Sequence, residues 1–157
     1  MKAIIVYGTC SGNTELVSDA VAEGLMESEI ETVTVRGEQA RAESLASYDL
    51  IILACATWNV GQLQEYYVPF YKEFCKLSLS GKAMAVIGLG DSKHYDIFCG
   101  AADLLEAAVS KVGAQQILPT LRIDGLPHAH LEEYKRWGAE LAKTFVGKHL
   151  PSLSQTA

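Results

Sequence analysis

Three stretches of this chain combine glycine with hydroxyl or aromatic side chains in patterns that suit ligand chemistry. The first is Gly8-Thr9-Cys10-Ser11-Gly12-Asn13-Thr14, which follows a short apolar run and leads into a helical pattern. Hydroxyls at Thr9, Ser11 and Thr14, with the free N–H groups of a first helical turn, suit a phosphate. No Lys or Arg lies within the stretch, so a phosphate there would be held by neutral donors and the helix dipole. Taken alone, it reads either as a phosphate loop or as an ordinary capped turn.

Two rival phosphate chemistries are excluded. The nucleotide-binding pattern G-x-x-x-x-G-K-S/T requires a Lys that is missing here. A low-molecular-weight tyrosine phosphatase would show Cys-x5-Arg, but the residue six after Cys10 is Leu16.

The second stretch is Ala56-Thr57-Trp58-Asn59-Val60-Gly61-Gln62-Leu63-Gln64-Glu65. Trp58, directly after an apolar strand pattern, serves either as a rim aromatic covering core or as a platform for a planar ligand. Such stacking is worth roughly 0.5–1.5 kcal/mol beyond area burial. The third stretch, 88–100, adds a second aromatic, Tyr95, after Gly88-Leu89-Gly90-Asp91-Ser92. It fails as a dinucleotide fingerprint because the third glycine position is Lys93. One candidate phosphate loop and two aromatic-bearing loops at one sheet edge have the make-up of a mononucleotide sandwich.

The elements that must position these loops follow from hydrophobic periodicity. Ala3–Tyr7, Leu50–Ala56 and Ala83–Leu89 are continuous apolar runs, as expected of parallel strands covered on both faces. Thr32 to Val35 alternates polar and apolar residues, predicting a half-buried edge strand. Gln116–Ile123 predicts a weaker strand, with Pro119 marking an edge or irregular position. Helices are predicted by Val17, Val21 and Leu25, and by Tyr66, Phe70, Tyr71 and Phe74 with Pro69 in the first turn or at a kink. Leu104, Leu105, Ala108 and Val112 mark another, closed by Gly113. The last opens at Pro127 and turns Leu131, Tyr134, Gly138, Leu141 and Phe145 inward.

This alternation predicts an α/β fold, a doubly wound sheet of five parallel strands with helices on both faces. Ligands in such sheets bind outside the carboxyl ends of the strands, which is where the three loops fall. The expected domain spans 1–147, with 148–157 as a frayed tail.

Composition bounds the function. The chain has 157 residues, 49% hydrophobic and 20% charged, a globular balance. Its net charge of −6 disfavours nucleic acid and anionic membranes. No apolar run approaches the ~18 to 20 residues of a membrane span. Ala3–Val6 is too short for a signal-peptide core and ends in a Gly-rich loop, so a cytoplasmic chain is expected. Cys10, Cys55, Cys75 and Cys99 are scattered without a C-x-x-C pair, predicting buried or half-buried free thiols rather than a disulfide framework or zinc site. Metal ligation by Asp91 and Asp96 lacks a third ligand at sensible spacing. A response-regulator role lacks the phosphoacceptor Asp, since Cys55-Ala56-Thr57 ends the strand that would carry it.

Gly8-Thr9-Cys10-Ser11-Gly12-Asn13-Thr14-Glu15 closely resembles the flavodoxin signature, in which hydroxyl residues flank Thr/Ser-Gly-Asn-Thr. Thr57-Trp58-Asn59-Val60-Gly61-Gln62-Leu63-Gln64 looks like the isoalloxazine loop of long-chain flavodoxins. Gly88-x-Gly90-Asp91 with Tyr95, then Phe98-Cys99-Gly100-Ala101 and Leu121-Arg122-Ile123-Asp124-Gly125, look like the short-chain branch. No ~20-residue insertion splits the last strand, as expected of a short chain. The resemblance covers residues 1–146.

It implies a sheet of order 2-1-3-4-5 and a low-potential one-electron carrier binding one FMN non-covalently, rather than an enzyme. Thr9, Cys10, Ser11, Gly12, Asn13 and Thr14 would bind the FMN phosphate. Ala56 and Thr57 would lead to Trp58 on the inner flavin face, with Tyr95 on the outer. Asn59 and Val60 would meet flavin N5. Leu89, Gly90 and Asp91 would contact the pyrimidine side through backbone groups, with Phe98 and Cys99 nearby. Lys93 and His94 depart from the family by placing potential positive charge beside Tyr95. The implied partners are a reductase and an acceptor protein, docking transiently on a monomer under charge steering. The alternative is an FMN-dependent NAD(P)H:quinone or flavin reductase of the same fold, which needs room above the flavin that a Tyr95 cap would fill.

Overall fold

Three apolar runs form the middle of the sheet because neither of their faces can stay in water. In chain order the elements of the computed structural model are β1 (Lys2–Gly8), α1 (Asn13–Glu27), β2 (Glu31–Arg36), β3 (Leu50–Trp58), β4 (Gln62–Leu63) and α2 (Val68–Phe74). They continue with β5 (Ala83–Gly90), α3 (Gly100–Lys111), β6 (Gln115–Gln116), β7 (Leu121–Asp124) and α4 (Leu131–His149). The structure describes residues 1–9, 11–58, 61–93 and 99–149. The expectations for Cys10, Asn59, Val60, His94, Tyr95, Asp96, Phe98 and residues 150–157 lie outside the described residues.

The sheet runs β2-β1-β3-β5, and β6 and β7 both pair with β5 on its outer side. These pairings are all parallel. The expected order is therefore present, but the fifth strand is two short pieces. β6 lies beside Ala83–Met84 and β7 beside Ile87–Gly90. Pro119 sits in the interval between them, where a residue without an N–H cannot continue the ladder. A further strand was not expected: β4 folds back antiparallel on the end of β3, pairing Thr57 with Leu63 and Trp58 with Gln62. The two sides of this stretch thus pair with each other, and Trp58 ends a strand rather than following one.

Two hydrophobic clusters lie on opposite faces of the sheet. Along β1, Ala3, Ile5 and Tyr7 join one cluster with residues of α1 and α4, and Ile4 and Val6 join the other with residues of α2 and α3. The period-2 alternation of a strand buried on both sides produces this division. In the aromatic segment the inward residue is Tyr67, fully buried, while Tyr66 is 60% exposed. A 3₁₀ turn over Glu65–Tyr67 precedes α2, and its tighter winding shifts which aromatic meets the core. The Tyr67 hydroxyl donates to the Val6 carbonyl at 2.8 Å. Pro69 occupies the first turn of α2, where its missing N–H costs nothing.

Candidate functional site

The carboxyl ends of β1, β3, β5 and β7 surround a cleft of about 360 Å³. Thr9, Ser11, Asn13 and Thr14 line one end, Ala56, Thr57 and Trp58 another side, and Leu89, Gly90 and Asp91 a third. The three loops singled out in the sequence therefore meet in one concavity. No Lys or Arg is among the described lining residues.

At the head of α1, Gly12 takes φ +88, a left-handed conformation that glycine adopts without strain. It is the N-cap, and no side chain caps the helix. The first intrahelical bond runs from the Leu16 N–H to the Gly12 carbonyl at 3.0 Å. The first-turn N–H groups before it have no carbonyl to meet within the helix. Thr9 Oγ1 accepts the Gly12 N–H at 3.0 Å, which leaves the Thr9 hydroxyl proton available. Thr14 Oγ1 is fully buried and has no hydrogen-bond partner. A buried hydroxyl without a partner is costly, so its place beside an uncapped helix start makes it a candidate seat for a polar ligand.

The family model for flavodoxins matches residues 5–138. The chain is 36% identical to the flavodoxin of Maridesulfovibrio salexigens over 90% of its own length and 97% of that protein's. It is 34% identical to probable flavodoxin 2 of Bacillus subtilis, covering 90% and 95%. Oxidised flavodoxin 1 of Bacillus cereus superposes with a TM-score of 0.85 at 32% identity, covering 91% of this chain and 98% of that one. The chain belongs to the flavodoxin family.

In this flavodoxin the second and third loops are fastened to each other. The Ala101 N–H donates to Thr57 Oγ1 at 3.3 Å. A Cβ on Gly100 would stand 2.4 Å from the Cα of Gly61, so the loops touch where neither residue carries a side chain. The Gln64 side chain is fully buried with neither end of its amide partnered. Its backbone N–H meets Cys55 Sγ at 3.4 Å.

Cys99 is placed differently from the other candidates. It is the N-cap of α3 at φ 52, fully buried, and is not among the residues lining the cleft. Its thiol lies 3.6 Å from the Gly88 carbonyl and 3.8 Å from that of Ile123. Burial pushes the thiol up to about 11, with the nearby Arg122 charge opposing. A neutral thiol at physiological pH is a packing group, not a nucleophile. Cys55 is also buried and Cys75 half-buried, and among the described residues no cluster is arranged to hold a metal.

Two lining residues, Gly125 and Leu126, were absent from the sequence-derived candidates. Gly125 sits at φ +78 and donates its N–H to the Gly90 carbonyl at 2.8 Å, continuing the β5–β7 ladder past the strand end. Leu126, 72% exposed, stands on the cleft rim. The available signal was the Asp-Gly dipeptide closing a strand at the same sheet edge.

Proposed function

We propose that this flavodoxin is a low-potential one-electron carrier that holds one FMN non-covalently in the cleft. The observation that carries this reading is the buried, unpartnered Thr14 hydroxyl at an uncapped helix start, in the same cleft as the Trp58 ring. These features fit a ligand with a phosphate at one end and a planar aromatic system at the other. FMN, when bound, supplies the one-electron chemistry through its ring.

The chain's residues bind and tune. Thr9, Cys10, Ser11, Gly12, Asn13 and Thr14 take the phosphate without a cation, helped by the free N–H groups of the first turn of α1. Ala56, Thr57 and Trp58 form the wall for the inner ring face, and Tyr95 caps the outer. Asn59 and Val60 serve the reactive N5 position. Leu89, Gly90 and Asp91 offer backbone groups to the pyrimidine side, beside Phe98 and Cys99. An acidic chain with no cation among the cleft's described lining residues disfavours added negative charge, which keeps the potential low.

The reading extends to a 1–147 unit that works as a monomer and meets a reductase and an acceptor protein by brief, charge-steered encounters. The thiols of Cys75 and Cys99, outside any disulfide, suit a reducing cytoplasm. Among the described residues no helix is long and apolar enough to cross a membrane.

The test is reconstitution of the purified chain with FMN, followed by NADPH with and without a separate flavodoxin reductase. One FMN per chain, negligible NADPH oxidation alone and rapid reduction with the reductase are expected. A chain that takes up no flavin, or one that oxidises NADPH rapidly with a quinone and no reductase, would overturn the reading.

A further inference from the structure

The third loop borders the cleft through Leu89, Gly90 and Asp91 and returns to the fold at Cys99, the start of α3. Within the loop, the Lys93 N–H donates to Asp91 Oδ1 at 3.0 Å. Further ties come from β7. Arg122 and Asp124 are two residues apart on that strand, so their side chains leave the same face, while Ile123 between them is buried in the core. Parallel pairing sets Arg122 beside Gly88 and Asp124 beside Gly90.

Each of the two side chains grips one end of the loop. Asp124 Oδ1 accepts the Ser92 N–H at 2.9 Å, and Oδ2 accepts the Ser92 hydroxyl at 2.5 Å. Donation from the Ser92 hydroxyl, then from its backbone N–H, holds the Asp124 carboxyl below the usual carboxylate range. The ladder bond from the Gly125 N–H to the Gly90 carbonyl adds a third tie to the same rim. At the far end, Arg122 Nη1 donates to the Cys99 carbonyl at 3.4 Å. The guanidinium is itself oriented by Asp103 at 2.7 Å and Glu106 at 2.6 Å. Glu106 is in turn bonded by the Thr120 hydroxyl at 2.8 Å, which accepts from Gln116 Nε2 at 2.8 Å.

We infer that Asp124 and Arg122 are positioning residues which fix the two ends of the third loop before any ligand arrives, and so preorganise the ring-binding end of the cleft. This rests on the FMN reading above. Preorganisation raises affinity by removing the ordering cost from the binding step. Only the ring end is served, because the phosphate end is built by β1 and α1, which make none of these bonds.

The experiment uses the full chain with FMN removed, as wild type and as Ser92→Ala, Asp124→Asn, Arg122→Gln and Arg122→Lys. Dissociation constants for FMN and for riboflavin are read by quenching of flavin fluorescence, and amide hydrogen exchange over residues 89–99 is read in the flavin-free chain. Ser92→Ala and Asp124→Asn should each weaken FMN and riboflavin by the same factor, about tenfold for a lost charge-assisted bond. Exchange of the 89–93 segment should rise in both. Arg122→Gln should raise exchange at the Cys99 end, and Arg122→Lys should restore it in part. Ser92→Ala changes no charge, so its effect separates positioning from electrostatics. Unchanged affinities with only a lower melting temperature would overturn the inference, leaving a purely structural role. Losses confined to FMN would overturn it too, by moving the effect to the phosphate end. Failure of the wild-type chain to bind either flavin would overturn both the function and this inference, and is told apart by that control.

Discussion

The Thr14 hydroxyl lies fully buried in the first turn of α1 and meets no hydrogen-bond partner within the protein. Replacing it with the isosteric methyl of valine removes a desolvated polar group, and leaving such a group unsatisfied costs about 1–3 kcal/mol. Thr14→Val should therefore leave the flavin-free chain as stable as wild type or more stable by about 1 kcal/mol, read by urea denaturation. The same change should weaken FMN about 10- to 100-fold, since a bond to a charged phosphate is lost, with riboflavin affinity unaltered. Equal losses for the two flavins would place Thr14 away from the phosphate. Cys99 gives a prediction of alkaline behaviour. In the unfolded chain its thiol ionises near ~8.5, whereas in the folded chain burial holds it protonated up to about 11. Between those values the unfolded state has lost a proton that the folded state keeps, so stability falls as pH rises through the window. Cys99→Ala should flatten that part of the stability–pH curve. The fully buried Tyr67 hydroxyl, also shifted upward by desolvation, keeps a further alkaline loss in the variant.

Helices α1 and α4 cross on one face of the sheet with two glycines at the contact. A Cβ on Gly24 would stand 2.1 Å from the Lys135 carbonyl oxygen, and one on Gly138 would stand 2.3 Å from that of Val21. Both obstacles are backbone, which cannot rotate away. Gly138→Ala should therefore destabilise the chain by about 1–3 kcal/mol through overpacking, despite alanine's better helix propensity of about 1 kcal/mol. Gly147, on the same helix, has open space around its Cβ position. Gly147→Ala should raise stability by up to about 1 kcal/mol. Thermal melts of the two variants should move in opposite directions. The same sign for both would mean that propensity, not helix approach, decides the outcome at position 138.

On the scale of the whole molecule the relevant quantity is the net charge of −6. An acidic carrier gains encounter rate with a basic partner by long-range attraction, and that attraction is screened over ~10 Å at 0.1 M salt. Stopped-flow reduction by a flavodoxin reductase should slow steadily as salt rises, with the bound-state electron transfer rate unaltered. A rate indifferent to salt would show that contact chemistry, rather than charge, limits the encounter.

Local patterns along the chain specify the sheet and the edge at which the candidate site lies. Three apolar runs and an alternating edge segment specify buried and half-buried strands, and glycine with hydroxyls after the first run specifies a helix start suited to an anion. These are local properties, carried by consecutive residues. The tertiary structure decided what depends on register between distant segments. Antiparallel pairing sets Thr57 beside Leu63 and Trp58 beside Gln62. A 3₁₀ turn puts Tyr67 rather than Tyr66 into the core. Parallel pairing of β7 with β5 brings Arg122, Asp124, Gly125 and Leu126 to a cleft and loop more than twenty positions away. Packing also turns Cys99 toward the carbonyls of Gly88 and Ile123 instead of into the cleft. Neighbours in space but not in sequence leave no periodic signal, because each segment's local preferences are satisfied whichever segment it meets.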